Sequence, residues 1–126
     1  MRIATLSLLA LLACGSPGAV SRTVRVDDLA CASGGDAVPW ESAPWPPASE
    51  AEGCGWLDFG ARVTLEIEHG LGRTPRDVGL TISFFPDGAS SAPSAGDTAR
   101  ILSVTETAVV IENGTNEDFF LKVVLF

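Results

Sequence analysis

Hydrophobic and polar residues alternate with a two-residue period at several places along the chain. Val63, Leu65 and Ile67 alternate with Thr64, Glu66 and Glu68. That spacing puts the apolar side chains on one face of a strand and the polar ones on the other. Val78, Leu80, Ile82 and Phe84 repeat the pattern. Thr23-Val24-Arg25-Val26-Asp27 alternates over a shorter run and predicts a first strand. Residues 101–104 and 108–111 predict two more short strands. Residues 119–126 are apolar everywhere except at Lys122, which suits a strand covered on both faces at the centre of a sandwich.

Turn chemistry separates these runs. His69-Gly70-Leu71-Gly72-Arg73-Thr74-Pro75 predicts a turn, and residues 86–98 predict a loop rich in Pro, Gly, Ser and Ala. Residues 112–118 form a polar turn containing Asn113-Gly114, a dipeptide favoured in hairpins. Short strands divided by such signals predict an all-β fold, a small antiparallel β-sandwich. Residues 32–55 differ in character. Pro39, Pro44, Pro46 and Pro47 crowd together, with Gly34, Gly35 and Gly53 nearby, so this stretch reads as an irregular loop. The sandwich domain is expected over 23–126, with its main β core over 56–126. A terminal Phe126 also fits an outer-membrane barrel, but eight strands of about 9–11 residues exceed the available core.

Composition narrows the picture. With 126 residues, 46% hydrophobic and 19% charged, the chain has enough apolar side chains for one domain with a real core. A net charge of −8 argues against a nucleic-acid partner, which needs a basic face. One His and three Cys supply neither a multi-imidazole metal site nor a catalytic cluster, and no cofactor is expected.

The N-terminus reads as an address. Arg2 supplies a positive start, residues 3–13 are mostly Leu and Ala, and small residues follow at Ala13, Gly15 and Ser16. The apolar stretch is shorter than the about 20 residues that span a bilayer, so residues 1–13 fit a secretory signal peptide. Leu11-Leu12-Ala13-Cys14 resembles the lipobox of bacterial lipoproteins. The resemblance implies that Cys14 becomes the first mature residue and carries the lipid, with 14–22 as a tether. Gly15 stands where an Asp would retain a lipoprotein in the inner membrane, so the implied location is the cell envelope, at the outer membrane. The alternative is an ordinary signal peptide with an unmodified cysteine and a secreted product. Losing residues 1–13 removes one cation, Arg2, and no acid, which carries the net charge from −8 to −9. Such a surface is repelled by anionic headgroups, so the membrane would be reached through the lipid.

Cys31 and Cys54 remain. An even remainder in an exported chain reads as one disulfide, worth roughly 3 kcal/mol in the chain-entropy model. The alternative is two free thiols. No CxxC spacing supports a metal site.

Candidate chemistry is sparse. His69 is the one candidate general base, but no nucleophile motif such as GxSxG accompanies it. Gly70-Leu71-Gly72 lacks the third glycine of a phosphate-binding turn, and Pro75 stands in its place. Arg73 and Arg76 offer an anion grip or offset acids such as Asp77. Asp87, Asp97 and Asp118 lie in polar loops without the oxygen spacing of a calcium loop. Asn113-Gly114-Thr115 is formally a glycosylation sequon and is read here as turn chemistry.

Residues 63–126 resemble the small β-sandwich modules of H-type lectins and phage tail-fibre tips. The shared pattern is a strand, a Gly-Arg-Thr-Pro turn ahead of Val78, a long strand, a loop and two apolar strands. The resemblance implies a sandwich fold and carries over no ligand residue. Two functional readings stand. The first is a lipid-anchored envelope protein whose non-catalytic sandwich has a binding or structural role beside another envelope component. The second is a carbohydrate-binding, lectin-like module that stacks Trp40, Trp45 and Trp56 on a glycan. The other use for these tryptophans is packing, at the sandwich edge beside the disulfide.

Overall fold

The computed structural model describes residues 20–44 and 53–126. The signal segment, Cys14 and Trp45 lie outside them. The described strands are β1 (Val20–Arg25), β2 (Trp40–Glu41), β3 (Leu57–Phe59), β4 (Val63–Glu68), β5 (Val78–Ser83), β6 (Ala92–Pro93), β7 (Arg100–Val104), β8 (Ala108–Glu112) and β9 (Phe119–Leu125). They form a small β-sandwich. One sheet has the order β1-β4-β8-β7; the other has β2-β9-β5-β6, with β3 also pairing β9.

Register shows why the alternating runs fold this way. Leu65 lies opposite Ile111 and Ile67 opposite Val109. In the second sheet Val78, Leu80 and Ile82 lie opposite Leu125, Val123 and Leu121. Directly opposed residues share a face, so each sheet presents one apolar face to the other. Leu65, Ile67, Val109, Ile111, Leu121, Val123 and Leu125 are completely buried there. Each contributes roughly 1.5–3 kcal/mol by leaving water. The outer face of the first sheet carries the polar half of the pattern. There Arg25 pairs with Glu68, Arg100 pairs with Glu112, and Thr23 donates to Glu66.

Several expectations need correction. β1 begins at Val20, ahead of the alternating run, and ends at Arg25, where Val26–Asp28 turns into a 3-10 helix. It runs parallel to β4, the one parallel pair among the described strands. A parallel pair needs a long crossover, and the intervening chain supplies β2 and β3 to the opposite sheet on the way. Residues 32–55 are therefore not irregular throughout, since Trp40 and Glu41 pair with the end of β9. The loop over 86–98 likewise contains β6, an edge strand where Pro93 needs no ladder donor. Phe84 does not continue its strand inward. Ser83 is buried, donating through Oγ to Ala89 O and accepting from Phe85 N, and the chain bends away.

Cys31 and Cys54 form a disulfide with their Cα atoms 5.2 Å apart. Asn113 does not sit in a two-residue hairpin. Gly114 keeps φ out of the left-handed region, and the Asn113 side chain is fully buried. Its Nδ2 donates to the carbonyls of Phe59, Gly60 and Glu117, while Oδ1 accepts from Thr115 N and Oγ1. Buried and fully engaged, this amide is the hub of its loop.

Candidate functional site

The parallel β1–β4 pair defines two ends of the sandwich. Val20 and Val63 start together at one end, near Arg62 and the 113–118 loop. Arg25 and Glu68 finish together at the other, where the 26–28, 69–77 and 105–107 turns gather. We call these the near end and the far end.

The far end carries an open, two-part cleft. Arg25, Asp27, Glu68 and Glu106 rim a depression of about 460 Å³. Gly34, Asp36, Trp40 and His69 line a second of about 300 Å³, and Val26 and Gly70 border both. The loop at Gly34 must approach closely. Its φ is +88°, and a Cβ there would collide with the Pro39 carbonyl, so the cleft wall needs glycine. At the rim, the Arg25 guanidinium sits 3.1 Å from Glu68. Asp27 and Glu106 add two further carboxylates, so the rim favours hydroxyl-bearing or cationic groups over anions.

His69 holds this end together. Its ring is buried at 2% exposure. Nδ1 accepts the Leu71 N–H at 3.1 Å, which leaves the proton on Nε2, and Nε2 donates to the Thr105 carbonyl at 3.0 Å. Its own N–H reaches Thr107 O. Both ring nitrogens are engaged by backbone, so neither is placed to take a proton from a substrate.

The candidate binding residues separate. Trp40 lies in β2 opposite Leu125, 2% exposed and within the core; Trp56 is 5% exposed. The Trp56 ring packs onto Gly88, where a Cβ would overlap it. Among the described residues neither indole Nε1 has a hydrogen-bond partner. Neither ring has a face free to stack on a glycan, so the described tryptophans act as packing and not as a platform. The physical reason is register, because β2 places Trp40 on the inward face. Trp45 lies outside the described residues.

Arg73 also differs from its expected role. It donates to Phe126 O, with Gly35 O at 3.5 Å, instead of offsetting Asp77. Asp77 instead caps the Val78 N–H. Asp87 accepts from Ala89 N, Asp97 pairs with Arg100, and Asp118 accepts from Ala61 N. Among the described residues, no three His, Cys, Asp or Glu side chains gather as metal ligands.

No family model, curated protein or solved structure matches this chain. Its own residues must therefore carry the functional reading. The cleft rim escaped the sequence reading because residues 25–27, 68–70 and 106–107 meet only through non-local pairing. Only the Gly70-Leu71-Gly72 turn hinted at a wall there.

Proposed function

We propose that this chain is a lipid-anchored envelope protein whose β-sandwich binds or braces a partner without catalysis. The supporting observation joins the sequence to the fold. Residues 15–19 alone separate the lipobox-like Cys14 from the start of β1. A stretch that short spans at most about 20 Å even when fully extended. An acylated Cys14 would hold the near end beside the bilayer and leave the far-end cleft facing away. The commitment of both His69 nitrogens to backbone speaks for a non-catalytic role. The Gly15 that follows Cys14 favours the outer membrane.

Mass spectrometry of protein extracted from membranes tests the anchor. The expected result is a mature chain that starts at an acylated Cys14. A mature N-terminus at another residue, or an unmodified Cys14, overturns it.

A further inference from the structure

The near end carries an exposed apolar feature apart from the cleft. Phe84 and Phe85 are 64% and 52% exposed. They follow β5 directly, and their end of the sandwich follows from register. Ser83 pairs with Phe120, and Phe59 pairs with Phe119. Residues 60–62 then lead into β4, and Arg62 O accepts the Val20 N–H. Phe84, Phe85 and Val20 therefore sit at the same end, and Val20 is itself 54% exposed.

The segment is also held in shape. The Phe84 ring lies 5.2 Å from that of Phe119, which is buried at the start of β9. Ser83 Oγ ties the bend to Ala89 at 2.6 Å, and Gly88 N–H closes onto Phe85 O at 3.0 Å. Two aromatic rings are thus presented outward on a fixed turn, with little ordering left to lose on burial.

The geometry points to a second membrane contact. Phe84 and Phe85 seat in the interfacial layer of the bilayer that holds the lipid on Cys14. This rests on the proposed anchor, because the short tether keeps Val20, at the same end, within about 20 Å of the acylated residue. Aromatic and aliphatic side chains favour that layer. Asp58, Asp87, Asp97, Glu117 and Asp118 lie near the same end, with Arg22, Arg62 and Arg100 among them. Acids outnumber bases, so the surface that fits is zwitterionic phospholipid.

The test reconstitutes the membrane-extracted protein in phosphatidylcholine vesicles and oxidises it with hydroxyl radicals. Phe126, 42% exposed at the far end, is the internal reference. With Cys14 acylated and the protein floating with vesicles, oxidation of Phe84 and Phe85 should fall about fivefold relative to Phe126. Phe84→Ser/Phe85→Ser should still float, and Val20 should lose its protection. Acylated, floating wild-type protein with Phe84 and Phe85 as reactive as Phe126 overturns the contact and leaves the anchor standing. An unmodified Cys14 overturns both. Protection that grows with protein density at fixed lipid means that a second copy covers the rings, and it too overturns the bilayer contact.

Discussion

Asn113→Ala is the substitution whose cost the structure fixes best. The wild-type amide is fully buried. Its Nδ2 lies 3.0, 2.9 and 2.8 Å from the carbonyls of Phe59, Gly60 and Glu117. Two hydrogens serve three acceptors, so one hydrogen is shared. Its Oδ1 accepts from Thr115 N at 2.9 Å and Thr115 Oγ1 at 2.6 Å. These bonds join the end of β3, the turn between β3 and β4 and the loop before β9. A typical bond contributes about 0.5–1.5 kcal/mol net, and a buried group left without its partner costs about 1–3 kcal/mol. The Phe59 carbonyl is the deepest of the acceptors, and the others rehydrate more readily. The loss should therefore be about 3–5 kcal/mol, not the sum of five full penalties.

Urea unfolding with the disulfide intact measures this. At an m-value of about 1–3 kcal/mol/M, the midpoint should fall by about 2 M. Asn113→Asp separates donor from acceptor. It keeps the oxygen that serves Thr115 but sets a carboxylate against the three carbonyls, so it should cost at least as much as Ala. Asn116→Ala, which removes only an exposed acceptor for Arg62 Nε, should cost about 1 kcal/mol or less. An Asn113→Ala variant within about 1 kcal/mol of wild type would refute the hub.

Further outcomes follow from the same contacts. Leu65→Ala should cost about 2–5 kcal/mol by denaturant titration, whereas Glu66→Ala on the opposite face should stay within about 0.5 kcal/mol; equal losses would mean that the faces are misassigned. Trp40→Ala should lower stability by about 3–5 kcal/mol, since the ring fills the core, and an unchanged melting temperature would return it to the surface. His69→Ala should destabilise by about 2–4 kcal/mol and raise hydrogen exchange at Leu71 N–H, whose acceptor it removes; unchanged protection there would break the latch. Reduction of Cys31–Cys54 should cost roughly 3 kcal/mol by urea titration, and an unmoved midpoint would show that the bond does not restrain the fold.

Most of the sandwich was legible because its strongest signals are local. The alternation over 63–68 and 78–82 reports one buried face, and the apolar run over 119–125 reports a strand covered on both, each signal lying within one strand. Elements of two residues leave no period to read, which is why β2 and β6 lay hidden among prolines. Phe84 extended a correct pattern by one step too far, because Ser83 ends the strand through its own side-chain bonds. Asn113-Gly114 matched a hairpin dipeptide for the wrong reason. The asparagine acts through its side chain, whose partners lie as far as 54 residues away in sequence.

The site was harder to read, and His69 shows why. A lone histidine beside a glycine-rich turn offers the residue type of a general base, and sequence alone does not say what each ring nitrogen meets. Here the ring clasps Leu71 and Thr105, so it draws together two turns that wall the far-end cleft. The cleft walls are therefore braced by hydrogen bonds within the chain. A braced cleft suits recognition with little loop closure, since ordering costs fall on folding and not on binding. The tryptophans follow the same logic from the other side. Trp40 borders the cleft yet lies within the core, so it supports the wall from behind while the charged rim faces solvent. The charged groups this rim offers to solvent are Arg25, Asp27, Glu68 and Glu106, which lie far apart in sequence and meet where the parallel β1–β4 pair ends.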